Sequence, residues 1–312
     1  MIKFFSYSIL LLSGSLFIYT HDANLKTIPS VDLIESLLHV GQHTSETSRI
    51  SLTAEQMQGW QIFKPLYDEH MLNNYKYDEQ ARIPKIIHHI WLGSPLPEKF
   101  ARYRQTWQKM HPDWNCILWD DAKVAEFGLH NLRAYCAAIN YGERSDIVRY
   151  EILHRFGGVY VDTDFECLQS FDVLHHSCDF YTGLYPNPGG GPVYILNGII
   201  GSKPGHPILK RCIAGIKTPV KKLNDSSAIM DRTGPGHLRR CIINALKMEA
   251  DIGKTVVFPP TFFYPWSLVF RACKNRSETI RNCLRPESLA IHHWAASWTN
   301  DFGSASCTSE AN

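Results

Sequence analysis

SDIVRYEILHRFGGVYVDTD, residues 145–164, is the stretch on which the fold turns. Ile147, Val148, Ile152, Leu153 and Phe156 recur at helical spacing, which predicts a helix over Ser145–Phe156. Gly157-Gly158 stops it, the first glycine suited to the left-handed position beyond a helix end. Val159-Tyr160-Val161 then reads as a buried strand that ends at Asp162-Thr163-Asp164. Residues two apart on a strand point the same way, so both carboxylates leave the strand together. Two hard oxygen ligands suit Mg²⁺ or Mn²⁺, which complete their coordination with water and substrate phosphates. Alone, Asp-x-Asp says little, because a chain of this length contains roughly one by chance. Its surroundings say more. Asp146 and Arg149 lie three apart on one face of the preceding helix. Such pairs are usually solvated, yet these two interrupt an apolar helix, and a buried pair needs a partner or a purpose. The glycine turn brings the strand back along the helix. Arg149, the carboxylates and the Tyr160 hydroxyl therefore converge on one crevice.

Working outward, Ile83–Leu92 is a β-rich run ending at Gly93. Pro97 opens a helix through Phe100, Tyr103, Trp107 and Met110, and Cys116–Trp119 is a second strand closed by Asp120-Asp121. Strand, helix and strand in this order start a parallel sheet with a nucleotide-sized crevice, an α/β fold. Further helices are expected over 131–140, 209–216 and 238–246. Tyr194–Leu196 and Gly198–Ile200 read as a strand pair, with Asn197 as a turn asparagine between them. The Pro- and Gly-rich segment 186–192 reads as a loop able to cover a site. Trp60, Trp107 and Trp119 are expected in the core.

The ends differ from this centre. Phe4 to Tyr19 is an apolar run that as a helix would span roughly 24 Å, somewhat short of a hydrocarbon core. It lacks a good cleavage site, so residues 1–22 read as an uncleaved membrane anchor of type II orientation (a lumen of Golgi or ER type in a eukaryote), with an export signal peptide as the alternative. Residues 23–82 read as a helical stem with a docking or spacer role, 83–300 as the catalytic domain and 301–312 as a tail. A formal charge of +2 gives no case for nucleic-acid binding. Nine scattered cysteines without a CxxC exclude zinc-ribbon and thioredoxin-type readings; Cys273 and Cys283 are the pair to consider for a disulfide.

Five ordered blocks carry a resemblance. Ile83–Gly93, Arg144–Leu153, Gly157–Glu166, Thr233-Gly234-Pro235 and Ile291–Trp298 are together similar to glycosyltransferase family 32, the DXD-containing sugar-binding region. Its fungal members include initiating α-mannosyltransferases and inositol-phosphoceramide mannosyltransferases. The resemblance implies a GT-A fold, with a nucleotide-binding half like that of a Rossmann fold. It implies a metal-dependent, retaining transfer of a hexose, mannose favoured, from GDP-mannose or a UDP-hexose to a glycan or glycolipid. It also implies roles. Trp91 would stack on the base, and Asp146 and Arg149 would bind the donor sugar, Arg149 also reaching phosphate. Asp162 would contact ribose and a metal-bound water, and Asp164 would bind Mn²⁺ or Mg²⁺. Ser297 and Trp298 would close over the diphosphate, with His293 assisting.

Two other classes compete. The histidine pairs at 88–89, 175–176 and 292–293 suggest a zinc hydrolase, but neighbours on a strand face opposite ways and no HExxH is present. A catalytically inactive sugar-binding protein on the same fold is the other alternative; it would have no need of a metal to stabilise a leaving group.

Overall fold

The computed structural model describes residues 6–12, 15–21, 27–42, 59–185, 194–218, 226–248, 251–268 and 275–295. Its centre is a six-stranded mixed sheet of β3 (Ile86–Ile90), β4 (Asn115–Trp119), β5 (Gly158–Val161), β7 (Phe180–Tyr185), β8 (Tyr194–Ser202) and β9 (Thr255–Phe258). They lie in the order β4-β3-β5-β8-β7-β9. β3 runs parallel to both β4 and β5, so the strand–helix–strand unit read from the sequence is present. β8 is antiparallel to β5 and β7. Tyr194–Ser202 is therefore one nine-residue strand rather than a pair. The break suggested by Asn197 is a register shift against β7 between Thr182 and Gly183, and Asn197 itself lies within the strand.

Side-chain alternation explains the layers. Val159 and Val161 enter one hydrophobic core, where Trp107 from the Glu98–Met110 helix and Phe262 also pack. Tyr160 enters the other, with Ile147 and Ile152 of the Tyr141–Phe156 helix and Leu238 of the Pro235–Met248 helix. Trp60, Trp107 and Trp119 are all buried, as their spacing suggested. The Tyr141–Phe156 helix starts four residues before the expected point because Asn140 caps it, its side-chain oxygen accepting from the Glu143 N–H at 2.8 Å. It ends at two glycines with positive φ, Gly157 at 64° and Gly158 at 95°. At Gly158 a Cβ would come within 2.5 Å of the Ile86 carbonyl oxygen, so only glycine lets β5 lie against β3 here.

The N-terminal region, expected to dock or to act as a spacer, packs against the rest of the fold. Leu37 of the Leu33–Gln42 helix and Phe63 are buried in one core and Tyr67 in the other. The Ser36 hydroxyl meets the Thr261 hydroxyl at 2.8 Å. A free spacer would need no such contacts; these residues pack into the same two cores as the central sheet. Nearer the N-terminus, where a helical span was expected, β1 (Ser6–Leu12) and β2 (Ser15–His21) pair antiparallel. Among the described residues no helix is long and apolar enough to cross a membrane. The expected loop 186–192 and Cys273 lie outside the described residues.

Candidate active site

The order β4-β3-β5 reverses direction at β3, and the crevice at the carboxyl ends of β3 and β5 is where an open α/β sheet receives a ligand. A cavity of about 340 Å³ lies there, lined among others by Trp91 after β3, Asp162 and Asp164 after β5, Asp146 and Arg149 from the Tyr141–Phe156 helix, and His292.

Arg149 is the hub. Its Nη2 lies 3.0 Å from Asp146 Oδ1 and its Nη1 3.3 Å from Asp162 Oδ1. Nη1 also donates to the Asn197 carbonyl at 2.6 Å, and the guanidinium sits 4.3 Å over the Tyr160 ring. Arg149 and Asp146 are 5% and 6% exposed, so the pair is buried rather than solvated. Two neutral donors also reach the Asp146 carboxylate: Asn197 Nδ2 at 2.7 Å and the Thr233 hydroxyl at 3.0 Å. Burial still pushes the Asp146 carboxyl up to about 6, against the opposing pull of Arg149 and Thr233. Both Asn197 and Thr233 act from segments far along the chain; the sequence offers only the Thr233-Gly234-Pro235 block and a family-like position for Asn197 as hints, and neither points to Asp146.

The two strand-end carboxylates have different neighbours. Asp162 accepts the Tyr160 hydroxyl at 2.5 Å, and its backbone N–H donates to the Gly198 carbonyl at 2.8 Å. A Cβ at Gly198 would come 2.9 Å from Asp162 Oδ2, so glycine makes room for the carboxylate. Burial pushes the Asp162 carboxyl up, with the Asp164 charge adding to it and Arg149 opposing. Asp164 accepts the Ala295 N–H at 2.8 Å and lies 3.0 Å from His292 Nε2. Burial would raise the Asp164 carboxyl too, but His292 and the Ala295 N–H hold it below its ordinary value.

His292 reaches this place because β10 (Ala290–His292) pairs antiparallel with β6 (Phe165–Cys167), setting His292 opposite Phe165. Ligand atoms of Asp162, Asp164 and His292 all lie within 4.8 Å of one another. The two carboxylates suit Mn²⁺ or Mg²⁺ and the imidazole favours the transition metal of the two; the His292 Nδ1 is buried without a hydrogen-bond partner among the described residues. The residues present fit a divalent cation. Its neighbour His293, the histidine singled out in the sequence, faces away from the cavity. Its Nε2 meets Glu166 at 2.9 Å, Arg276 lies 3.0 Å from its Nδ1, and its ring stacks on Tyr103. Strand alternation separates the two, and only the structure shows which side the site is on.

Trp91 stands at the cavity edge, packed against Phe100 at 4.9 Å between centroids, with its Nε1–H donated to the Ser94 hydroxyl. Tyr160 is buried beneath Arg149 and serves the carboxylates rather than an open surface. Ser297 and Trp298 lie outside the described residues. Trp294, just before them, lines the cavity with φ of 53°, an unusual conformation for an aromatic residue. The other histidine pairs are structural. His88 accepts the Trp119 Nε1–H at its Nδ1, so it donates Nε2–H to the Gly157 carbonyl. His175 meets the Ile83 carbonyl and the Tyr181 hydroxyl.

Fold and site together define an α/β protein whose nucleotide-sized cavity carries a carboxylate pair and a buried arginine at its switch point. Residues 97–181 match the family described as glycosyltransferase sugar-binding region containing DXD motif. It is 33% identical over 149 residues to inositol phosphoceramide mannosyltransferase 3 of Schizosaccharomyces pombe, covering 45% of this chain and 38% of that protein. It is 30% identical over 221 residues to mannosyl phosphorylinositol ceramide synthase CSH1 of Saccharomyces cerevisiae, covering 67% of this chain and 54% of that one. The chain thus spans about half the length, or less, of these curated relatives. Among solved structures it is similar to the PaToxG glycosyltransferase, at 18% identity and a TM-score of 0.43, over 75% of this chain and 89% of that one.

Proposed function

We propose that this chain is a metal-dependent, retaining glycosyltransferase of GT-A type that moves a hexose, mannose by preference, from a nucleotide-sugar to a glycolipid acceptor. The observation that carries the reading is the convergence of Asp162, Asp164 and His292 within 4.8 Å, at a cavity walled by the Asp146–Arg149 pair. The names of the two fungal relatives above support the mannosyl donor and the inositol-phosphoceramide class of acceptor.

Breaking a sugar–phosphate bond leaves a nucleoside diphosphate whose growing negative charge must be stabilised. Asp162, Asp164 and His292 would hold the divalent cation, which when bound supplies Lewis-acid stabilisation to that diphosphate. Arg149 brings a fixed positive charge that needs no reorganisation, because Asp146, Asn197 and Tyr160 already orient it. Asp146 remains available to accept from donor-sugar hydroxyls. Trp91 offers a flat face for the base, and Trp294 with Tyr264 narrows the cavity against water. Among the described residues no side chain at the cavity stands out as a covalent nucleophile, which favours attack by the acceptor hydroxyl on the face the diphosphate leaves. The N-terminal apolar run would keep the protein near a lipid acceptor.

The full chain should consume GDP-mannose from a panel of GDP- and UDP-sugars, with Mn²⁺ and not with EDTA. Asp164→Ala should lose on the order of 10³-fold in turnover while keeping the wild-type circular dichroism spectrum. Folded wild-type protein that binds a donor without consuming it would replace this reading with that of a nucleotide-sugar-binding protein. Consumption unaffected by EDTA would remove the metal from the mechanism.

A further inference from the structure

A second group of ligand-type side chains lies outside this cavity. The Pro207–Gly215 helix carries Cys212, and the Pro235–Met248 helix packed beside it carries His237 and Cys241 four residues apart, hence on one face. All three are buried, and their ligand atoms lie within 4.8 Å of one another. Cys241 Sγ is 3.8 Å from His237 Nε2. A tetrahedral zinc centre, with Zn–S of about 2.3 Å and Zn–N of about 2.0 Å, sets its sulfur and nitrogen ligands roughly 3.5 Å apart. The spacing is therefore close to a ligated one before any side chain moves. Gly215 leaves room for the imidazole: a Cβ there would come 2.9 Å from His237 Cε1.

One side of the group is open. A cavity of about 530 Å³ borders His237 and Cys241 and is lined by Arg211, Lys217, Arg232 and Arg240, with Asp231 as the one acid, paired with Arg240. From the geometry we infer that Cys212, His237 and Cys241 bind a thiophilic divalent cation of the Zn²⁺ class, with its fourth position turned to this basic cavity. Two thiols give up their protons to solvent on binding. The imidazole stays neutral, exchanging the 2.9 Å contact of its Nε2 with the Cys212 carbonyl for the metal. Two thiolates and a dication sum to zero, so the ion can be buried, and the surrounding arginines and lysine favour water or a small anion as the fourth ligand. Sulfur donors separate this site from the oxygen-rich one at Asp162 and Asp164.

The placement gives the ion a consequence. The Pro235–Met248 helix begins at the active-site cavity, which Gly234 and Pro235 line, and Thr233 just before it holds Asp146. Arg232 pairs with Glu143 at the start of the helix carrying Asp146 and Arg149. Pinning Cys241 and His237 to Cys212 would brace the segment that aims the catalytic pair.

The test is a Co²⁺ titration of the reduced full chain, followed by thiolate-to-cobalt charge transfer and tetrahedral d–d bands. Wild type and Asp164→Ala should both take up one equivalent into these bands, and Zn²⁺ should displace it. Cys212→Ser and Cys241→Ser should lose the charge-transfer band. A folded, reduced wild type without the band, or a double Cys212→Ser/Cys241→Ser variant that keeps it, overturns the inference. Should the variants not fold, wild type alone decides by alkylation and peptide mass spectrometry. Zn²⁺ should suppress labelling of Cys212 and Cys241 together, and unchanged labelling, or a Cys212–Cys241 disulfide that takes up no metal once reduced, counts against the site.

Discussion

The site is built from two kinds of chain. One is the continuous run 145–164, which supplies Asp146, Arg149, Tyr160, Asp162 and Asp164; the other is a set of returning segments that supply Asn197, Thr233, His292 and the Ala295 N–H. The first brings nearly all the charge. The second brings mostly neutral donors and one imidazole, and its members decide where those charges point. A glycine turn between a helix and a strand is enough to assemble the first group, whereas the second depends on β8, β10 and the Pro235–Met248 helix finding their places. Breaking the first group should disable the site, whereas single losses from the second should detune it.

The largest effect is expected at Arg149. Arg149→Met keeps much of the side chain's bulk and removes the charge shared by Asp146 and Asp162. Leaving buried carboxylates without their cation should cost about 3–5 kcal/mol of stability, read as a fall in the urea midpoint, together with loss of donor turnover. Adding Asp146→Asn should recover part of the stability and none of the turnover. Recovery of turnover by the double variant would show that the pair is only a structural element. In the returning group, His292→Ala should weaken Mn²⁺ binding about 10- to 100-fold, visible as a raised Mn²⁺ requirement and largely overcome at saturating metal. If saturating Mn²⁺ restores nothing, His292 acts on Asp164 by some route other than the cation.

The same division marks how far the sequence could be read. Local patterning carried the helix, the glycine stop and the strand-end carboxylates, because each follows from spacing within some twenty residues. In the sequence Asn197 falls between two short apolar runs and reads as a turn asparagine. What places it in a strand is a register shift against β7, a relation between segments that spacing does not encode. Of the adjacent histidines, sequence shows only that they face opposite ways. The pairing of His292 with Phe165 in the small β6–β10 sheet decides which one meets Asp164. Likewise the amphipathic stretches before residue 82 look alike whether they form a spacer or part of a core, and only the contacts at Leu37, Phe63 and Tyr67 separate the two.

The last effect is the one that joins the two groups. Asp146 sits near 6 because burial outweighs Arg149 and its hydrogen-bond donors, so its folded value lies above the unfolded value of 3.8. Its contribution to stability is then fully present below about 4 and is lost as pH rises through about 6, since the native state holds the proton longer than the unfolded chain. Turnover should run the other way, rising through the same window as the carboxylate becomes able to accept from the donor sugar and pair fully with Arg149. Thr233→Val removes one donor that favours the ionised form, at a cost of about 1.5–3 kcal/mol. It should move the acid limb of kcat/KM to higher pH while leaving the plateau within reach at alkaline pH. A limb that stays in place while kcat falls at every pH would mean that Thr233 supports the backbone and not the charge. The distant group would then shape the site without tuning it.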